Sequence, residues 1–111
     1  MGYEEDTIEE KRAYPRVKNL YLVSYIHKEA GRQISPVSMG RTLDLSPSGA
    51  RLEVFQQIKA ESEMEMEIAL EDSQVSVNGV VLRALEAGDD VFVLGIRFNK
   101  VCGELIDSLA I

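Results

Sequence analysis

Arg41-Thr42-Leu43-Asp44-Leu45-Ser46-Pro47-Ser48-Gly49-Ala50-Arg51-Leu52-Glu53-Val54 is a strand, a turn and a returning strand in fourteen letters. From Arg41 to Ser46 the residues alternate, which places Leu43 and Leu45 inward and Asp44 and Ser46 outward together. Ser46-Pro47-Ser48-Gly49 fits a type I turn, because proline presets the first central dihedral and glycine suits the fourth position. Leu52 and Val54 then face the core. A carboxylate and a hydroxyl therefore sit at one hairpin end, and Gly49 leaves room for close approach of a backbone or a ligand.

The same grammar extends in both directions. Upstream, Pro15 disfavours helix at Tyr14, and Val17 to Ile26 reads as a strand rich in β-branched and aromatic residues. Leu20, Leu22, Ser24 and Ile26 fall on one of its sides and Tyr21, Val23 and Tyr25 on the other, so both sides are apolar. The second side calls for cover by the C-terminal segment or by a second copy of the chain, a homodimer. A loop from His27 to Ser38 follows, carrying Gly31 and Pro36. Downstream, Glu63 to Glu71 alternates cleanly, with Met64, Met66, Ile68 and Leu70 inside and glutamates outside. Between Gln74 and Glu86 the apolar phase shifts from Val75 and Val77 to Val80, Leu82 and Ala84, which predicts a β-bulge at Asn78-Gly79. Val91 to Phe98 returns after a turn at Gly88-Asp89, with Phe92, Leu94, Ile96 and Phe98 on one face. Asn99 is a candidate cap for a last helix from about Lys100, with Val101, Leu105 and Leu109 at helical spacing. Short strands, turn chemistry and one terminal helix give an all-β fold: an antiparallel barrel closed by a C-terminal α-helix.

At 111 residues the chain suits one hydrophobic core. We divide it into an acidic, mobile segment at residues 1–10 and a single domain at 11–111. Hydrophobic residues at 45% and charged residues at 28% describe a soluble protein. No apolar run approaches the ~20 residues of a membrane span and no signal-peptide core is present, so the expected location is the cytoplasm. The single cysteine, Cys102, cannot form an internal disulfide or a multi-cysteine zinc site and reads as a small buried hydrophobe. A net charge of −7 argues against a DNA or RNA polymer as partner.

That charge is segregated. Glu4, Glu5, Asp6, Glu9 and Glu10 precede Lys11, Arg12, Arg16 and Lys18, a compact basic spot suited to a small anion. Arg12-Ala13-Tyr14-Pro15-Arg16 supplies two guanidinium forks, which match phosphate oxygens and the O6/N7 edge of guanine. Asp44 supplies an acceptor-only carboxylate for guanine's donor edge. Asp44 also has a structural alternative, pairing with Arg51 or Arg41 across the hairpin. Ser46 can cap its own turn. Arg97, opposite Phe98 in the last strand, reads as solvated exterior. Catalysis finds no support: Ser46 lacks a base at motif spacing, and no phosphate loop, dinucleotide fingerprint or metal-ligand cluster is present.

RxxxR at 12–16 and DxSxxG at 44–49, about thirty residues apart with strand pattern between, resemble the PilZ domain, the bacterial receptor for cyclic di-GMP. The resemblance covers roughly Lys11 to the C-terminus. It implies a six-stranded antiparallel β-barrel with the basic motif on an arm before the first strand. It also implies a cyclic di-GMP site formed by Lys11, Arg12, Arg16, Asp44, Ser46 and Gly49, no cofactor beyond that ligand, and no catalytic residue. Such a domain would fold its arm over the ligand and signal to an unidentified protein effector in motility, exopolysaccharide production or virulence. The alternative is an adaptor of the same fold that binds a protein partner without nucleotide.

Overall fold

Every second residue of Glu63–Ala69 is buried, Met64, Met66 and Ile68, while the glutamates between them stand in solvent. A strand so divided needs an apolar interior on one side only. In the computed structural model, which describes residues 14–109, that interior is the inside of a closed barrel. Its strands are β1 (Leu22–Glu29), β2 (Arg32–Gln33), β3 (Ser38–Ser46), β4 (Gly49–Val54), β5 (Glu63–Ala69), β6 (Gln74–Gly88) and β7 (Val91–Phe98). The order is β1-β3-β4-β7-β6-β5, with β5 returning to pair with β1, and every pairing is antiparallel. Six strands thus close the expected barrel, and the two-residue β2 pairs with the end of β1. Closure leaves β5 no free edge. A short helix, α1 (Gly103–Ser108), follows β7.

The core gathers apolar residues from every wall of the barrel: Val23 and Tyr25 from β1, Leu45 from β3, Leu52 and Val54 from β4, Met64, Met66 and Ile68 from β5, Val75 from β6, and Leu94 and Ile96 from β7. Leu105 of α1 is fully buried and Cys102 packs against the cluster half-buried. The Cys102 N–H donates to the Pro47 carbonyl at 2.8 Å. The C-terminal segment is therefore tied to the β3–β4 turn.

Several details depart from the sequence reading. The first strand continues through His27 to Glu29, and His27 is buried where a loop is expected. Ala30 and Gly31, both at positive φ, reverse the chain tightly enough that Arg32 pairs back onto Glu29. β1 also begins only at Leu22 rather than Val17, and its second side is uncovered at that start: Leu20, just before β1, is 62% and Leu22 61% exposed, while the C-terminal segment is tied to the β3–β4 turn instead. On β3 a register shift between Thr42 and Asp44 gives the inward place to Thr42 and leaves Leu43 half-buried. Thr42 is accommodated because its hydroxyl donates to the Asn19 carbonyl at 2.7 Å and accepts the Tyr21 N–H at 3.0 Å. On β6 the inward phase runs unbroken through Val75, Val77, Gly79 and Val81, and the shift falls between Val81 and Arg83 instead of at Asn78-Gly79. Gly79 hides the continuity, since it is buried without a side chain: a Cβ there would lie 2.6 Å from the Arg97 carbonyl oxygen. The helix starts at Gly103 behind Cys102, with no side-chain cap, and Val101 is exposed.

Candidate functional site

Asp44 and Arg51 are direct cross-strand partners on the outer face of the β3–β4 hairpin. Arg51 Nε donates to Asp44 Oδ2 at 2.6 Å, and Arg16 Nη1 donates to Asp44 Oδ1 at 2.6 Å. The carboxylate thus spans a guanidinium from the neighbouring strand and one from 28 positions earlier in the chain. Asp44 stands on the outer face as alternation predicts, yet its side chain is only 5% exposed, because the two arginines, 42% and 51% exposed, lie over it. Burial by itself opposes ionisation, but the Arg51 and Arg16 hydrogen bonds and charges outweigh it and hold the Asp44 pKa below the ordinary carboxylate value.

Arg16 is positioned by backbone as well as by charge. Next to it, Val17 exchanges two hydrogen bonds with Leu45, 2.7 Å from the Val17 N–H and 2.9 Å from the Leu45 N–H. Thr42 fastens Asn19 and Tyr21 one turn of pleat further along. The end of the arm is therefore laid along β3, with Arg16 on the Asp44 carboxylate. Lys11, Arg12 and the acidic segment 1–10 lie outside the described residues.

Ser46 and Gly49 close the hairpin. Pro47 and Ser48 form the turn, and the buried Ser46 hydroxyl accepts the Ser48 N–H and donates to the Gly49 carbonyl, each at 3.3 Å. A Cβ on Gly49 would lie 2.5 Å from the Ile96 carbonyl oxygen, so the close approach that its lack of side chain permits is that of β7. Arg16 and Asp44 are brought together; Ser46 and Gly49 shape the turn beside them.

Beside the Arg16–Asp44–Arg51 bridge the outer face dips into a hollow of about 320 Å³, bordered by Leu82, Arg83 and Leu85 of β6 and by Val93 and Gly95 of β7. Three guanidiniums against the one carboxylate of Asp44 make this hollow attractive to anions. Sequence reasoning treats Arg51 only as a partner for Asp44 and passes over Arg83. Both are outward-facing by alternation, but no spacing in the chain says that β6 and β4 flank the same strand. A larger hollow, about 560 Å³, lies by the C-terminal connection among Ser76, Asn78, Asn99, Cys102 and Glu104. It has a single lysine, Lys100, and no arginine, so it is the poorer place for a phosphorylated ligand. Among the described residues no group of three or more His, Cys, Asp or Glu gathers to hold a metal, and no helix is long and apolar enough to cross a membrane.

Comparison with known proteins agrees with this architecture. No curated protein matches the sequence. Among solved structures, the PilZ domain with c-di-GMP of YcgR from Escherichia coli superposes with a TM-score of 0.62 at 16% identity, over 90% of this chain and 86% of that one. The family model of the PilZ domain matches residues 10–109. The chain belongs to the PilZ domain family.

Proposed function

We propose that this protein is a cyclic di-GMP receptor without catalytic activity, acting in the cytoplasm through a protein partner. The observation that carries the reading is the Asp44 carboxylate bridging Arg16 and Arg51 at 2.6 Å each beside an arginine-bordered hollow. Family membership supports it, as does the ligand named for the YcgR structure. Guanine offers two donors to the carboxylate and two acceptors to an arginine fork, while the ligand's phosphates take the remaining guanidinium donors. Asp44 is held ionised by its arginines and is therefore an acceptor at both oxygens.

Binding, in this account, is an exchange of partners. Arg16 leaves Asp44 for a phosphate or guanine edge, and the freed carboxylate lone pairs accept from the base. Lys11 and Arg12 join from the arm, Lys11 as a point charge and Arg12 as a fork. Ser46 and Gly49 keep the hairpin end in the shape that presents Asp44. The rearranged arm becomes new surface for an effector. The nucleotide-independent adaptor is a second reading, and the uncovered Leu20 and Leu22 favour it.

Calorimetric titration with cyclic di-GMP, with cyclic di-AMP and GMP as controls, tests the proposal. The expected result is saturable heat for cyclic di-GMP alone, weakened in Arg16→Ala by about 1.5–3 kcal/mol, the worth of a hydrogen bond to a charged group. No heat at high concentration would leave the adaptor.

A further inference from the structure

Arg51, Gly95 and Arg83 stand in one row across the outer face. Gly95 of β7 is registered opposite Arg51 of β4 on one side and Arg83 of β6 on the other. At ~4.8 Å between neighbouring strands, the two arginine Cα atoms are roughly 10 Å apart, with backbone alone between them. A Cβ at Gly95 would meet Arg83 Cγ at 3.4 Å, so the Arg83 stem already leans over the glycine. The register shift between Val81 and Arg83 leaves Leu82 and Arg83 both exposed. With Leu85, Leu82 gives the row an apolar border on the same hollow.

Chemically, the row is a flat floor with a planar cation at each end. Without a side chain at Gly95, the face of an aromatic ring can come down onto the strand. The leucine side chains supply apolar contact at the ring's edge. Arg51 spends Nε on Asp44 and has its two terminal nitrogens without a partner among the described residues. Arg83 has no ion pair among them. A tetrahedral phosphate would use the cations and waste the floor; a purine uses both.

We propose that Arg51, Gly95 and Arg83 form a base cradle that extends the site from Asp44 across β7 to β6. A guanine lies flat on Gly95, Arg83 presents its fork to the O6/N7 edge, and Arg51 links this base to the Asp44 carboxylate. The inference rests on the cyclic di-GMP reading and assigns it residues outside the two motifs.

The test uses the full chain and the variants Arg83→Ala, Arg83→Lys and Gly95→Val, each titrated with cyclic di-GMP and cyclic di-AMP and each melted to check the fold. Arg83 is exposed and Gly95 faces only a flexible side chain, so unfolding midpoints should match the unaltered protein. Each variant should bind cyclic di-GMP about tenfold or more weakly, the scale of one bidentate arginine–guanine contact. Arg83→Lys should fail to rescue and should narrow the preference over cyclic di-AMP. Unchanged affinity in Arg83→Ala and Gly95→Val would overturn the cradle alone, and full rescue by lysine would overturn base reading by Arg83. Failure of the unaltered protein to bind cyclic di-GMP would overturn this inference together with the receptor reading. Should Gly95→Val not fold, the two Arg83 variants decide.

Discussion

Asp44 has both oxygens engaged by guanidiniums and is nearly shut off from solvent. Its folded-state pKa lies below the ordinary value, so the pair stabilises the fold fully above the unfolded carboxylate value, about 3.9. That stabilisation is lost as pH falls through the lower, folded value. Asp44→Asn should cost about 1–3 kcal/mol at neutral pH by chemical denaturation, the arginines' exposure keeping the figure modest. The gap to the unaltered protein should close below roughly pH 4. A gap independent of pH would mean that the carboxylate's charge contributes nothing. At this scale the sequence was informative about residue type and silent about burial. The carboxylate and the arginine fork could be matched to guanine on paper, but that Arg16 reaches Asp44 depends on the Val17–Leu45 backbone bonds. His27 shows the same limit. Beside a supposed loop it has no context, whereas in the barrel it is buried with neither ring nitrogen hydrogen-bonded among the described residues.

The β3–β4 hairpin connects the two motifs to the barrel. Its turn was legible because Ser46, Pro47, Ser48 and Gly49 each have a local reason to be there. Its partner strand was not, and with it the reason for Gly49. The site that a Cβ would occupy is filled by the Ile96 carbonyl 2.5 Å away, a backbone atom that cannot yield as a side chain would. Gly49→Ala should therefore destabilise by about 1–3 kcal/mol, the usual cost of overpacking, with the β4–β7 ladder loosened in amide exchange. An alanine variant as stable as the parent would place the glycine's role elsewhere. β5 and β7 were readable residue by residue, since one side faces the core and the other water. On β6 the obstacle is Gly79, where a buried residue without a side chain looks like a break in phase. The bulges at Thr42/Asp44 and Val81/Arg83 were unreadable for a related reason. Thr42 is polar and buried, satisfied only by contacts with Asn19 and Tyr21 that lie about twenty positions away.

On the scale of the whole molecule, closure is what makes a site. Strand order β4-β7-β6 sets Arg51, Gly95 and Arg83 side by side, although 44 positions separate Arg51 from Gly95 in the chain. Turn chemistry and alternation give strands; they do not give neighbours, so the barrel class could be inferred and the far half of the hollow could not. Among the described residues an acidic protein thereby presents an arginine-rich depression, and a larger hollow lies elsewhere, by Asn78, Cys102 and Glu104. The central claim is that cyclic di-GMP is received at that depression. The most direct measurement is a titration of the isotope-labelled full chain with cyclic di-GMP followed by backbone amide shifts. The account predicts saturable changes centred on Arg16, Asp44, Arg51, Arg83 and Gly95, with the hollow at Asn78 and Cys102 left still. Changes centred on Asn78, Cys102 and Glu104 instead, or none at all at saturating ligand, would contradict it.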